Sequence, residues 1–150
     1  MNKVIVKAAL PVDGYRLEDQ IGFLLRRAHQ FASSIFQETI APVAFTPQQF
    51  ASLVKIGELG EVSQNELGRL IDMDPATTQG VVGRMVERGY VLRIPDSRDK
   101  RRLRIRLTDE GRHVVVEAIA AGRKITQKTL SNLDAAERDR LVRLLRKLVP

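Results

Sequence analysis

Apolar side chains at Leu17, Ile21, Leu24, Leu25, Ala28, Ala32, Ile35 and Phe36 recur at steps of three and four, which predicts an amphipathic helix from about Leu17 to Ala41. Pro42 ends it. Thr46-Pro47-Gln48-Gln49 offers a capping hydroxyl, a proline suited to a first helical position and a glutamine able to close a capping box. The helix that follows carries Phe50, Leu53, Val54 and Ile56 and runs to Gly57 or Gly60. A second box, Ser63-Gln64-Asn65-Glu66, opens a short helix with Leu67, Leu70 and Ile71 facing inward. After a break at Asp72-Met73, Asp74-Pro75 repeats the cap-then-proline start and launches a helix expected to stop near Gly89.

The period then changes from helical to alternating. Tyr90 to Ile94 reads as one strand, and Leu103-Arg104-Ile105-Arg106-Leu107 as another, with Leu and Ile on one face and Arg on the other. The polar stretch from Pro95 to Arg102 between them predicts a hairpin. Thr108-Asp109-Glu110-Gly111 starts a long helix to about Leu130, and Asp134-Ala135-Ala136-Glu137 caps a last one striped by Leu141, Leu144, Leu145 and Leu148.

A short helix, a brief turn, a longer helix and a hairpin compose a winged helix-turn-helix. The fold class predicted is mainly α with a small β-hairpin wing, flanked by N- and C-terminal dimerisation helices. The outer helices carry more apolar surface than one small winged domain needs, which points to helix exchange with a second subunit. The chain divides into an N-terminal arm and dimerisation helix (1–45), the winged region (46–108) and C-terminal dimerisation helices (109–150), all within one intertwined domain.

Charge sharpens this picture. The 150 residues carry a formal net charge of +7 and a pI near 10.2, which favours a polyanionic partner, nucleic acid or an anionic membrane surface. The chain holds no cysteine, excluding a disulfide scaffold, a thiolate zinc site and cysteine redox sensing, and suiting a reducing cytoplasm. Val4 to Pro11 is too short, and too broken by Lys7, for a signal peptide, and no later run approaches the roughly 18 apolar residues of a membrane span. The expected location is the cytoplasm.

On the helix from Pro75 to Arg88, Thr78, Val81, Val82 and Met85 share the core side, leaving Ala76, Gly80, Gly83 and Glu87 opposite. That second face is nearly bare, and mid-helix glycine costs about 1 kcal/mol relative to alanine, so the smoothness needs a reason. One reason is close backbone approach to the major groove, with Thr77, Gln79 and Arg84 flanking it to reach bases and phosphates; another is tight packing against a protein helix. Glu87 lies beyond the groove in the first reading.

In the hairpin, Arg98, Lys100, Arg101 and Arg102 cluster, with Arg104 and Arg106 continuing along one strand face. Such a run also fits a plain solvated surface. Beside a helix-turn-helix it suits the minor groove, with Arg98 at the tip. Asp96 either orients a neighbouring arginine or serves as a turn residue after Pro95. The candidate DNA-contacting set is Ser63, Gln64, Pro75, Ala76, Thr77, Gln79, Gly80, Gly83, Arg84, Asp96, Arg98, Lys100 and Arg101.

From about Leu17 onward the chain resembles the MarR family of bacterial transcription regulators. The resemblance is carried by Asp96-Ser97-Arg98-Asp99-Lys100-Arg101-Arg102, by Leu107-Thr108-Asp109-Glu110-Gly111, and by the stretch from Arg84 to Val91. It implies an obligate homodimer on a pseudo-palindromic operator, recognition helices in successive major grooves, wings in flanking minor grooves, and an effector pocket between the dimerisation helices and the DNA reader. Repression is part of that implication. Gly80 departs from the family, many of whose members have arginine there, which leaves the operator sequence open.

The stretch from Leu17 to Ala28 is similar to regulators of aromatic-acid breakdown, implying an aromatic acid or its CoA thioester as effector. Arg26, Arg27, His29 and Gln30 are the candidate partners of such an anion; surface ion pairs and an ordinary polar contact are the competing roles for the arginines and His29. Two histidines and no cysteine argue against a metal sensor, and no metal or other cofactor is expected. No Gly-rich phosphate loop, paired metal motif or nucleophile elbow points to an enzyme. A non-specific architectural DNA binder is the serious alternative, because phosphate neutralisation needs only charge. A membrane-surface protein is disfavoured, since the densest basic run lies in a hairpin rather than an amphipathic helix.

Overall fold

A computed structural model describes residues 14–42 and 44–149; the arm from Val4 to Pro11 lies outside the described residues. The elements are α1 (Ile21–Ile40), α2 (Pro47–Leu59), β1 (Glu61–Ser63), α3 (Gln64–Leu70), α4 (Pro75–Glu87), β2 (Val91–Pro95), β3 (Leu103–Leu107), α5 (Asp109–Thr129) and α6 (Ala135–Leu148). A single 3-10 turn, Leu17–Asp19, precedes α1. The start expected at Leu17 therefore falls four residues early. Apolar spacing continues through the turn, but the helix begins only after Gln20, whose extended backbone breaks the ladder and whose side chain provides no cap.

The other helix starts follow local chemistry. Thr46 and Gln49 exchange both bonds of a capping box, at 3.2 and 3.1 Å, and Asp134 and Glu137 do the same at 2.9 Å each. The box expected at Ser63 is one-sided: its hydroxyl accepts from Glu66 N at 3.3 Å, without a reciprocal bond from the glutamate. In α3, Leu67 is fully buried, whereas Leu70, expected inward, is 48% exposed. Seven residues make under two turns, too short for the apolar spacing to fix which leucine turns in.

The hairpin proves to be part of a three-stranded antiparallel sheet ordered β1-β3-β2. Glu61 pairs with Arg106, Val62 with Ile105, and Ser63 with Arg104. Only Val62 of β1 enters the core, so three residues showed no alternation to read. In β3, Ile105 and Leu107 are buried but Leu103 is 53% exposed, because it pairs with Pro95 at the outer end of the hairpin, past the core. Strand β2 runs one residue later than expected, from Val91 through Pro95. As an edge strand it tolerates a proline, which has no N–H to donate.

One core joins these elements. Leu53 and Ile56 of α2, Leu67 of α3, Val81, Val82 and Met85 of α4, Val62, Val91 and Ile105 of the sheet and Ala118 of α5 are all essentially solvent-free. The N-terminus of α5 presses on the segment leaving α4: the Thr108 hydroxyl donates to Gly89 O at 2.6 Å and accepts from Gly111 N at 2.9 Å. A side chain at Gly111 would collide with the Tyr90 carbonyl. Phe36 of α1 meets Phe50 of α2 edge to face, with centroids 5.8 Å apart, and the Phe50 ring lies where a Cβ at Gly122 of α5 would stand.

The outer helices are less covered. Ile21, Leu24 and Leu25 of α1 and Leu144, Leu145 and Leu148 of α6 are exposed, and together with Ala28 and Leu141 they line an apolar groove of about 710 Å³.

Candidate nucleic-acid interface

The reading helix is fixed at its first turn. Asp74 accepts from Thr77 N at 2.9 Å through one oxygen and from the Thr77 hydroxyl at 2.6 Å through the other. These bonds, the hydroxyl foremost, hold the Asp74 carboxyl below its ordinary pKa. Thr78 points the other way: it is buried, donates to Asp74 O at 2.8 Å, and stands where a Cβ on Gly68 would be, so α3 and α4 cross closely.

Facing outward from α4 are Ala76, Thr77, Gln79, Arg84 and Glu87, with Gly80 and Gly83 half-buried among them. A Cβ on Gly83 would meet nothing within 4 Å, so no element of this protomer packs there. Gly80 has a more specific neighbour: an added Cβ would lie 3.4 Å from Arg84 Nη1, so the arginine folds back across the glycine. Arg84 is thereby held low on the smooth face. Ser63 and Gln64 lie at the start of α3, where Ser63 also pairs with Arg104 of β3.

The wing tip is built by two aspartates in succession. Asp96 Oδ1 accepts from Arg98 N at 2.7 Å and Asp99 N at 3.2 Å, and Asp99 Oδ1 accepts from both Arg101 N and Arg101 Nε at 3.1 Å. Asp96 N donates to Arg102 O at 2.8 Å and closes the loop. Both carboxyls titrate below the ordinary range, Asp96 chiefly through the Arg98 and Asp99 amides, Asp99 through the Arg101 side chain and amide.

The cations of the hairpin consequently divide into two groups. Arg104 reaches Asp96 Oδ2 at 3.4 Å, Glu61 Oε2 at 3.9 Å and Glu61 O at 2.8 Å, and Arg106 pairs with Glu61 at 3.5 Å. These two brace the wing against β1. Asp96 thus fills both roles considered for it, turn residue and orienter of an arginine, and the arginine is Arg104. Arg101 and Arg102 approach Asp99 at 3.1 and 3.6 Å while staying solvent-facing. Arg98 and Lys100 are exposed and form no ion pair among the described residues. Glu61 was not legible as a wing anchor, since its role depends on the three-residue strand.

The four residues singled out on α1 for an effector do not converge. Arg26 Nη1 donates to Gln30 at 3.4 Å, both Arg26 and Arg27 lie over the Phe23 ring, at 5.2 and 5.8 Å, and His29 meets the Ser33 hydroxyl at 3.5 Å. All four are exposed and line none of the hollows described in this protomer. An amphipathic hollow of about 520 Å³ lies instead between α2 and α5, closed by the start of α6 and lined by Phe50, Val54, Ile119, Gly122, Arg123, Thr126, Gln127, Leu130 and Arg138. Arg138 Nε donates to the carbonyls of Leu130 and Leu133, at 3.0 and 2.9 Å, which fixes that guanidinium at the rim. The one sequence signal for this hollow was Gly122 in mid-helix. Among the described residues no cluster of three or more His, Asp or Glu is arranged to hold a metal ion, and no helix is long and apolar enough to cross a membrane.

Residues 45–103 match the model of the MarR family. The HTH-type transcriptional repressor NicR of Pseudomonas putida is 33% identical, over 99% of this chain and 96% of its own length. The structure of Bordetella bronchiseptica BpsR, whose DNA binding is regulated by 6-hydroxynicotinic acid, superimposes with a TM-score of 0.85 at 36% identity, covering 91% of this chain and 97% of that one. A cysteine-to-serine mutant of Escherichia coli MarR in complex with operator DNA gives a TM-score of 0.82 at 27% identity, over 92% and 99% of the two chains.

Proposed function

Because this chain belongs to the MarR family of transcription regulators, we propose that it acts as a homodimeric repressor on a pseudo-palindromic operator, released by a small aromatic acid. The observation that carries the DNA reading is the smooth outer face of α4, where nothing stands over Gly83, beside a wing whose Arg98 and Lys100 are unpaired among the described residues. In this reading α4 enters the major groove with Pro75, Ala76, Gly80 and Gly83 at close approach, Thr77, Gln79 and Arg84 reaching bases and phosphates, and Ser63 and Gln64 meeting the backbone. Arg98 enters the minor groove, Lys100 and Arg101 follow the phosphates, and Asp96 holds the loop.

Residues 46–108 form the reader. Residues 1–45 and 109–150 supply the pairing helices, with the apolar groove of α1 and α6 as the seat of the second subunit. The protein works where its operator lies, in the cytoplasm.

The effector proposed is a hydroxylated aromatic or N-heteroaromatic carboxylate, the class to which the 6-hydroxynicotinic acid of BpsR belongs. The α2–α5 hollow supplies the matching chemistry: a ring-sized apolar wall with Phe50, and Arg123 and Arg138 for a carboxylate. Because it touches both the reader, through α2, and the pairing layer, through α5 and α6, occupancy there favours one arrangement of the two. Arg26, Arg27, His29 and Gln30 join the site only if dimerisation brings the partner's α1 across it.

A mobility-shift titration on the DNA flanking the protein's own gene, against random duplex of equal length, tests the first part. Selective binding by roughly 10³ or more is expected; equal affinity for both would return the protein to the architectural class. Addition of 6-hydroxynicotinate should then release the operator from the wild type but not from Arg123→Ala. Release of both equally would remove the hollow from the mechanism.

A further inference from the structure

Arg88, in the sequence merely part of a helix end, joins two segments 44 residues apart. It caps the C-terminus of α4, with its own N–H bonded back to Arg84 O at 3.0 Å. Its Nη1 donates to the carbonyl of Ala44 at 3.1 Å and its Nη2 to the Tyr90 hydroxyl at 3.2 Å. The guanidinium carbon lies 5.1 Å from the Phe45 ring centroid and 4.9 Å from that of Tyr90. The two rings are themselves edge to face, 5.7 Å apart. One planar cation is thus held by two aromatic faces and two oxygens.

The position of the clamp gives it meaning. Ala44 and Phe45 belong to the connection by which α1 passes into α2. Ala44 has φ +50°, a left-handed conformation that a residue with a Cβ adopts at a cost and keeps only where its surroundings hold it. Arg88 takes the carbonyl of that residue. Phe45 is buried in the core and Tyr90 packs against it. The last turn of the reading helix is therefore tied to the hinge through which the pairing helix enters the reader.

We infer that Arg88 is a positioning residue that sets the placement of α4 relative to α1, and hence the separation of the two reading helices in the dimer. This rests on the operator-binding reading above. Adjacent half-sites are about 34 Å apart, one turn of the duplex, so a dimer with rigidly placed reading helices distinguishes operators whose centre is one base pair longer or shorter. Arginine suits the task because its planar fork keeps stacking and hydrogen bonding in register, which a lysine ammonium does not.

The test uses the full-length protein and the duplex it selects from a random pool, together with versions carrying one base pair added to or removed from the centre. Selection by the wild type of a reproducible two-fold-symmetric site establishes the operator reading by itself; failure to select one overturns that reading and with it the basis for this inference. On the selected duplex, Arg88→Ala should bind about tenfold more weakly, the scale of losing one or two charge-assisted hydrogen bonds. It should also bind the three spacings with nearly equal affinity, and keep the wild-type dependence on salt. Tyr90→Phe, which keeps the ring and loses only the hydroxyl, should weaken spacing discrimination partially, and Arg88→Lys should restore part of what alanine loses. A salt slope reduced by about 0.9 would identify Arg88 as a phosphate contact and overturn the inference. An equal loss at all three spacings, leaving their ratios as in the wild type, would do so too, by reducing Arg88 to a residue of general stability.

Discussion

At the scale of single residues, the firmest constraint is the space denied to Gly111. The first turn of α5 sits on the Tyr90 carbonyl so closely that a methyl group there must displace backbone. Gly111→Ala is expected to lower stability by about 1–3 kcal/mol despite its better helix propensity, because overpacking against a fixed carbonyl outweighs the gain. Chemical denaturation measures the outcome. The glycine was conspicuous in the sequence beside Thr108-Asp109-Glu110, but its reason was not, since the obstructing carbonyl belongs to a residue 21 positions earlier. Thr78, by contrast, was readable as a core residue from helical spacing alone, because its place is decided within α4. The aspartates at 74, 96 and 99 make a second prediction. Each titrates lower in the folded chain, so its contribution is complete above the ordinary value of 3.8 and is lost as the pH falls through the lower folded value. Between about pH 7 and pH 5 these groups therefore produce no change in stability, and the amide signals of Arg98 and Asp99 should move only in strong acid, as an NMR titration would record.

At the scale of elements, the wing separates cations that touch DNA from cations that hold the wing. Arg98→Ala should weaken operator binding and flatten the salt dependence by about 0.9, the signature of one phosphate-field cation removed. Arg104→Gln should also weaken binding, but with the slope unchanged, because Arg104 spends its charge on Glu61 and Asp96. Equal slopes for both variants would mean that the division is misplaced. On α4, Gln79→Ala is expected to relax base preference rather than affinity at large, which selection from random duplexes would show. The helices and hairpin were legible because caps, prolines and apolar spacing are local signals. Strand β1 was not: three residues following a turn at Gly60 acquire their meaning only by pairing with β3. The same holds for Glu61, whose task as wing anchor has no trace in its neighbours.

At the scale of the whole molecule, the uncovered apolar faces of α1 and α6 argue that the protomer is half of an object. Placing charges in that groove, as in Leu25→Glu with Leu144→Glu, should yield monomers by sedimentation and reduce operator affinity by at least the loss of one half-site. The effector hollow illustrates the limit of a sequence reading at this scale. Its walls come from three helices, and the arginines that give it a charge preference, Arg123 and Arg138, stand among many others. No spacing rule selects them.

The groove between α1 and α6 also bears on how much of this protein a cell can keep. A chain with leucines and isoleucines lying open on two helices gains part of its stability from a second copy, so folding and assembly obey the same mass action. Scarce chains spend longer unpaired and are the ones that proteolysis removes first, whereas abundant chains protect one another. The supply of the regulator is thereby sharpened at the level of the protein itself: below a threshold of synthesis it falls away faster than its message does, and above it the pool is durable.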